Sequence, residues 1–124
     1  MSTPTDLRQH LLLLQYPSDG KQPPPAELQA IMARFQTWME GLRQQGRVVA
    51  TNGLETTGKI LRGPIGATVV TDGPFAEGKE VVGGYVLLSP STLDDAVAAA
   101  RACPGLDNRM IVEVRPVVPP AHCP

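Results

Sequence analysis

Thr68-Val69-Val70-Thr71-Asp72-Gly73-Pro74-Phe75-Ala76-Glu77-Gly78-Lys79-Glu80-Val81-Val82-Gly83-Gly84-Tyr85-Val86-Leu87-Leu88 holds two β-rich runs around a charged connection. Thr68–Thr71 is β-branched throughout, and Tyr85–Leu88 is apolar at consecutive positions. Both runs are short and bounded by glycine and proline, which is the pattern of strands. The connection carries four charged side chains, Asp72, Glu77, Lys79 and Glu80. Loops carried on a rigid sheet often hold functional residues.

The same strand pattern recurs to either side. Residues 9–16 contain four consecutive leucines, Leu11 to Leu14, and are stopped by Pro17. Apolar side chains at consecutive positions of a strand imply that both faces are covered. Residues 57–62 and 67–71 read as a hairpin around Gly63-Pro64-Ile65-Gly66, with proline second and glycine fourth in a type I turn. Val48-Val49-Ala50 centres a short strand over residues 47–51, and residues 109–114 form the last, with Met110, Val112 and Val114 on one face. Residues 84–88 form the strand after the charged loop, ended by Pro90, and Gly83-Gly84 marks a bulge or a close strand crossing.

Two helices separate these strands. The first starts near Pro25, and Leu28, Ile31, Met32, Phe35, Trp38, Met39 and Leu42 form an amphipathic stripe along it. Glu27 and Arg43 suit the two ends of its dipole, and Gly46 closes it. The stripe is read as core rather than as the wall of a pocket. The second helix opens at Ser91 or Thr92, with Asp94 or Asp95 completing a capping-box-like pair. Leu93, Ala96, Val97 and Ala100, with Cys103, form its apolar face, and Pro104-Gly105 ends it.

The order strand, helix, strand, hairpin, strand, helix, strand predicts an α+β fold. It is a ferredoxin-like βαββαβ unit with an inserted β-hairpin. Both helices then lie on one face of an antiparallel sheet. The other face needs its own cover, and a second copy of the chain supplies it, as a homodimer with a cleft between the sheets. A small-molecule ligand is expected in that cleft.

Bulk composition bounds the function. The chain has 124 residues, 42% of them hydrophobic and 4% aromatic, so one domain with an aliphatic core is expected. Residues 1–8 read as a flexible arm and residues 118–124 as a Pro-rich tail. A formal net charge of −1 gives no basic excess for direct nucleic-acid binding. No apolar run approaches the roughly 20 residues that span a bilayer, and the polar start is unlike a signal peptide, so a cytoplasmic protein is expected. The two cysteines, Cys103 and Cys123, are read as free thiols, with Cys103 a packing residue. No cofactor fingerprint, zinc spacing or Ser–His–Asp set is assembled, and His122-Cys123 lacks the usual ligand spacing.

Asp72-Gly73-Pro74-Phe75, followed by Glu77, Lys79-Glu80 and Gly83-Gly84-Tyr85, resembles the DGPF-motif branch of the YCII-related proteins. Asn52-Gly53-Leu54, Leu93-Asp94-Asp95-Ala96, Arg101-Ala102-Cys103-Pro104 and Val112-Glu113-Val114-Arg115-Pro116 extend the resemblance over roughly residues 9–117. It implies a dimeric α+β barrel, and members of this branch are associated with extracytoplasmic-function sigma factors. Enzymatic relatives carry a His–Asp dyad, with the His on the first helix and the Asp before a proline after the second. Those positions fall here near Phe35 and at Cys103-Pro104, so neither dyad residue is present. His10 on the first strand and His122 in the tail are not evident substitutes.

Three function classes follow. The first is a homodimeric module that binds a small molecule, with Tyr16, Phe75, Glu77, Lys79, Gly83 and Tyr85 as candidate cleft residues. The second is a proton-transfer or lyase enzyme using Asp72 with Tyr16 or Tyr85, against an ordinary turn-stabilising role for Asp72. The third is a regulatory partner of a sigma factor.

Overall fold

The computed structural model describes residues 7–73 and 80–118. Along the chain run β1 (Arg8–Pro17), α1 (Pro25–Gln44), β2 (Val48–Gly53), β3 (Gly58–Arg62), β4 (Val69–Gly73), β5 (Glu80–Ser91), α2 (Leu93–Arg101), a 3₁₀ turn (Pro104–Asn108) and β6 (Ile111–Pro116). Four strands form one sheet in the order β2-β5-β1-β6, and β3-β4 form a separate two-stranded sheet. Every paired neighbour is antiparallel. The protein is therefore α+β with antiparallel sheets and two helices, and its strand order is compatible with the ferredoxin-like expectation.

Strand periodicity sorts the sheet into two faces. His10, Leu12 and Leu14 of β1 and Gly84, Val86 and Leu88 of β5 are buried. Their alternates Leu11, Leu13, Tyr85 and Leu87 are half-buried on the other face. Register confirms the sorting: Leu13 stands opposite Tyr85, and Leu11 opposite Leu87. The helices cover the first face. Trp38 and Leu42 of α1 join Leu12, Leu14, Val86 and Leu88, together with Ala96, Ala99 and Ala100 of α2, Cys103 and Met110. The small side chains of α2 let it lie close to the sheet, and Trp38 Nε1 donates to the Ala99 carbonyl at 3.0 Å, tying the two helices together.

Several local expectations need correction. The hairpin turn closes one residue later than the Gly63-Pro64 pattern suggests, because the Ala67 N–H bonds the Pro64 carbonyl at 2.9 Å. Proline is thus first in the turn, and the Thr68 hydroxyl bonds the same carbonyl at 2.9 Å. β5 is longer than expected, starting at Glu80 and running past Pro90 to Ser91, because β1 pairs with it over its whole length. The expected irregularity at Gly83 is present: Leu14 pairs with Gly84 but Gln15 with Val82. On α2, Ala99 is buried and Leu93, the first helical residue, is 48% exposed. After Pro104-Gly105 the chain makes the 3₁₀ turn, and Arg109 adopts a left-handed φ of 67°. That break keeps Arg109 and Met110 out of β6.

Candidate binding site

The apolar stripe of α1 is not uniformly core. Its C-terminal half seats Trp38 and Leu42 among buried residues. Its N-terminal half stands above the ends of the strands and leaves a cavity of about 290 Å³. Leu28, Ile31, Met32, Phe35 and Met39 roof this cavity; Phe35 and Met39 also pack against the core, so the expectation that the stripe is plain core fails only for its first turns. The physical reason is the sheet beneath. Glycines at positions 53, 83 and 84 put no side chains of their own under α1, and the neighbouring Leu14 and Tyr16 fill only part of the space.

Leu14 and Tyr16 of β1, with Thr51 and Asn52 of β2, complete the floor, and Gly105, Asn108 and Met110 make the end wall. Two close approaches shape these walls. The Tyr16 ring lies so near Gly83 that a Cβ there would stand 2.1 Å from a ring carbon. At Gly105 a Cβ would stand 2.4 Å from Met110 Sδ. Only glycine allows either packing.

The cavity is electrically quiet. Burial pushes the Tyr16 phenol up from its ordinary value, with a smaller contribution from nearby Cys103. Burial also pushes the Cys103 thiol up. Both groups are therefore neutral at pH 7. The two arginines beside lining positions are held in pairs. Arg34, next to Phe35, bonds Asp107 at 2.9 Å. Arg109, between Asn108 and Met110, pairs with Asp19. The Arg109 hydrogen bond, followed by one from the Lys21 backbone, holds the Asp19 carboxyl below its usual range.

Polar groups at the cavity differ in their commitments. The Thr51 hydroxyl donates to the Tyr85 carbonyl at 2.9 Å. Asn52 stands opposite Tyr85 and turns its side chain to the far face of the sheet, where Nδ2 donates to the Tyr85 hydroxyl at 2.8 Å. Among the described residues none hydrogen-bonds the Asn108 side-chain amide.

The sequence-based candidates scatter. Tyr16 and Gly83 come together at the cavity. Tyr85 alternates to the opposite face of the sheet, where its hydroxyl meets Asn52. Asp72 lies within β4, opposite Lys59, and the two side chains form an ion pair. The Asp72 side chain is 85% exposed there. Phe75, Glu77 and Lys79 lie outside the described residues, as do His122 and Cys123. Sequence reasoning missed Asn108 and the cavity role of α1. A stripe rich in methionine and phenylalanine facing glycine-rich strands was the available signal, but periodicity alone does not separate roof from core.

Among the described residues no group of three or more His, Cys, Asp or Glu gathers as a metal site. No described helix is long and apolar enough to cross a membrane.

These features define an α+β domain with an open, uncharged cavity between its first helix and its sheet. The sequence matches the YCII-related domain over residues 10–120, and the chain belongs to the YCII-related family. Over 46 residues it is 46% identical to an uncharacterised protein of Rhizobium meliloti (strain 1021). That match spans 37% of this chain and 37% of that protein. The two positions that the enzymatic relatives give to a His–Asp dyad now have a place. Phe35 lines the cavity, and Cys103 is buried with its thiol 3.8 Å from Met110 Sδ.

Proposed function

We propose that this chain binds a small, largely apolar molecule in the cavity between α1 and the sheet. It does so as a two-fold homodimer of ferredoxin-like protomers, a dimeric α+β barrel. The observation that carries the reading is the cavity itself. Its 290 Å³ lies near the lower end of the range for ligand pockets. Its described lining includes no carboxylate, imidazole, ammonium or guanidinium group. Such a wall recovers free energy by taking apolar surface out of water, about 25 cal/mol per Å². Among the described lining residues the only ionisable group is the Tyr16 phenol, which burial pushes up and keeps neutral, and this favours binding over the proton transfer of the dyad-bearing relatives.

The assembly rests on the face that the helices leave open. Leu11, Leu13, Tyr85 and Leu87 form a contiguous apolar patch on it, and Gln15, Glu113 and Arg115 stand on the same face along β1 and β6. Exposed apolar patches with polar rims are typical of protein contacts.

The test is thermal melting with naphthalene as probe, in the wild type and in an Ile31→Trp variant whose indole fills the cavity. Naphthalene raises the melting temperature of the wild type and leaves that of the variant unchanged. An equal shift in both, or none in either, refutes the cavity as the binding site.

A further inference from the structure

We infer that Asn108 orients the bound molecule, and that this molecule is a neutral aromatic compound carrying one uncharged polar group. The inference rests on the binding reading above and specifies its ligand class.

The wall chemistry points to an aromatic body. Phe35 and Tyr16 present rings, and Met32, Met39 and Met110 present thioethers. Rings favour one another in offset or edge contacts, and methionine sulfur sits well against an aromatic edge. The absence of charge from the described lining, and the pairing of both neighbouring arginines, point to neutrality. Arg34 is held by Asp107 and Arg109 by Asp19, each at the surface. A charged ligand would leave its hydration shell and find no free counter-charge among the described lining residues.

The polar partner is assigned by geometry, from the two lining side chains whose polar groups no described residue bonds, the Tyr16 hydroxyl and the Asn108 amide. Thr51 spends its hydroxyl proton on the Tyr85 carbonyl, and Asn52 turns its amide to the Tyr85 hydroxyl on the far face. The Asn108 amide has both its acceptor and its two donors open among the described residues. Its position is also specially built. Arg109 takes the left-handed φ of 67°, and the Met110 N–H closes back on the Gly105 carbonyl at 3.0 Å. Through this turn Asn108 and Met110 both reach the cavity while Arg109, between them, reaches out to Asp19. A non-glycine residue in that conformation persists only where its surroundings hold it, and such residues concentrate at functional sites.

Calorimetric titration with naphthalene, 2-naphthol and 2-naphthoate tests the assignment in the wild type and in Asn108→Leu. In the wild type, 2-naphthoate binds at least about tenfold more weakly than 2-naphthol, because burying its carboxylate is uncompensated. Asn108→Leu weakens 2-naphthol about fivefold, the worth of one neutral hydrogen bond, and changes naphthalene by less than about twofold. Asn108→Ala repeats the comparison should the leucine variant fail to fold. Equal losses for naphthalene and 2-naphthol overturn the role of Asn108, since a mere wall residue affects both alike. Tight binding of 2-naphthoate overturns the neutral ligand class. Wild-type binding of none of the three overturns the binding reading itself, and this inference with it.

Discussion

His10 is an ionisable residue in a position that the strand pattern reserves for apolar side chains. It points inward from β1, is 1% exposed, and shares a 2.8 Å hydrogen bond between Nδ1 and Ser91 Oγ. Burial lowers its pKa below 6.5 and the nearby Arg8 charge lowers it further, while a backbone hydrogen bond at Arg8 and the charge of Asp95 oppose the shift. The sign of the consequence follows from proton counting. Well above pH 6.5 the imidazole is neutral in both folded and unfolded chains, so it adds no pH dependence there. Below that value the unfolded chain takes up the proton first, and stability falls with pH. Urea unfolding should therefore show a loss of stability as pH falls through 6.5 that His10→Gln reduces. An unchanged pH slope in that variant would assign the loss to another group. The sequence places His10 on a strand amid leucines, but its burial depends on Ser91, 81 positions away. That pairing is a product of β1–β5 register.

Elements were the most legible scale. Thr92 caps α2 as its sequence suggests: the Thr92 hydroxyl accepts from the Asp95 N–H at 3.1 Å, and the Asp95 carboxylate accepts from the Thr92 N–H at 3.3 Å. Thr92→Ala should cost about 1 kcal/mol in thermal or urea denaturation, and Thr92→Ser close to nothing. A loss below about 0.3 kcal/mol for the alanine variant would mean that sheet packing alone holds α2. Capping is local, written within four residues, and this makes it readable. The two halves of α1 show the opposite case. The same helical repeat gives Trp38 a buried place and leaves Met32 56% exposed at the cavity, because the repeat says which face turns inward and nothing about what waits there. The β3–β4 hairpin is similar. Its β-branched residues announce strands, yet Leu61 and Val69 are 63% and 61% exposed. A two-stranded sheet of this kind is marginal alone in water.

At the scale of the whole molecule the open sheet face makes the assembly testable. The chain should run in solution at twice its 13.2 kDa mass. Leu13→Arg, which puts a charge in the middle of the apolar patch, should yield a folded monomer with unchanged far-ultraviolet circular dichroism. A wild type that sediments as a monomer, or a variant that stays dimeric, would refute pairing through this face. The amino-acid sequence by itself determined the α+β class, the order of the helices and strands, the irregularity at Gly83 and the family, because periodicity, capping and turn chemistry act over a few residues. Only the tertiary structure decided where space was left over. The cavity arises where the first turns of α1 cross glycines of β2 and β5, and the left-handed turn at Arg109 brings Asn108 to its wall. It also separated the candidate residues from one another. Asp72 stands in the hairpin beside Lys59, while Tyr16 and Gly83 meet at the cavity. Packing of distant segments sets the volume between them, and no local pattern encodes a distance between elements that meet only once the sheet has formed.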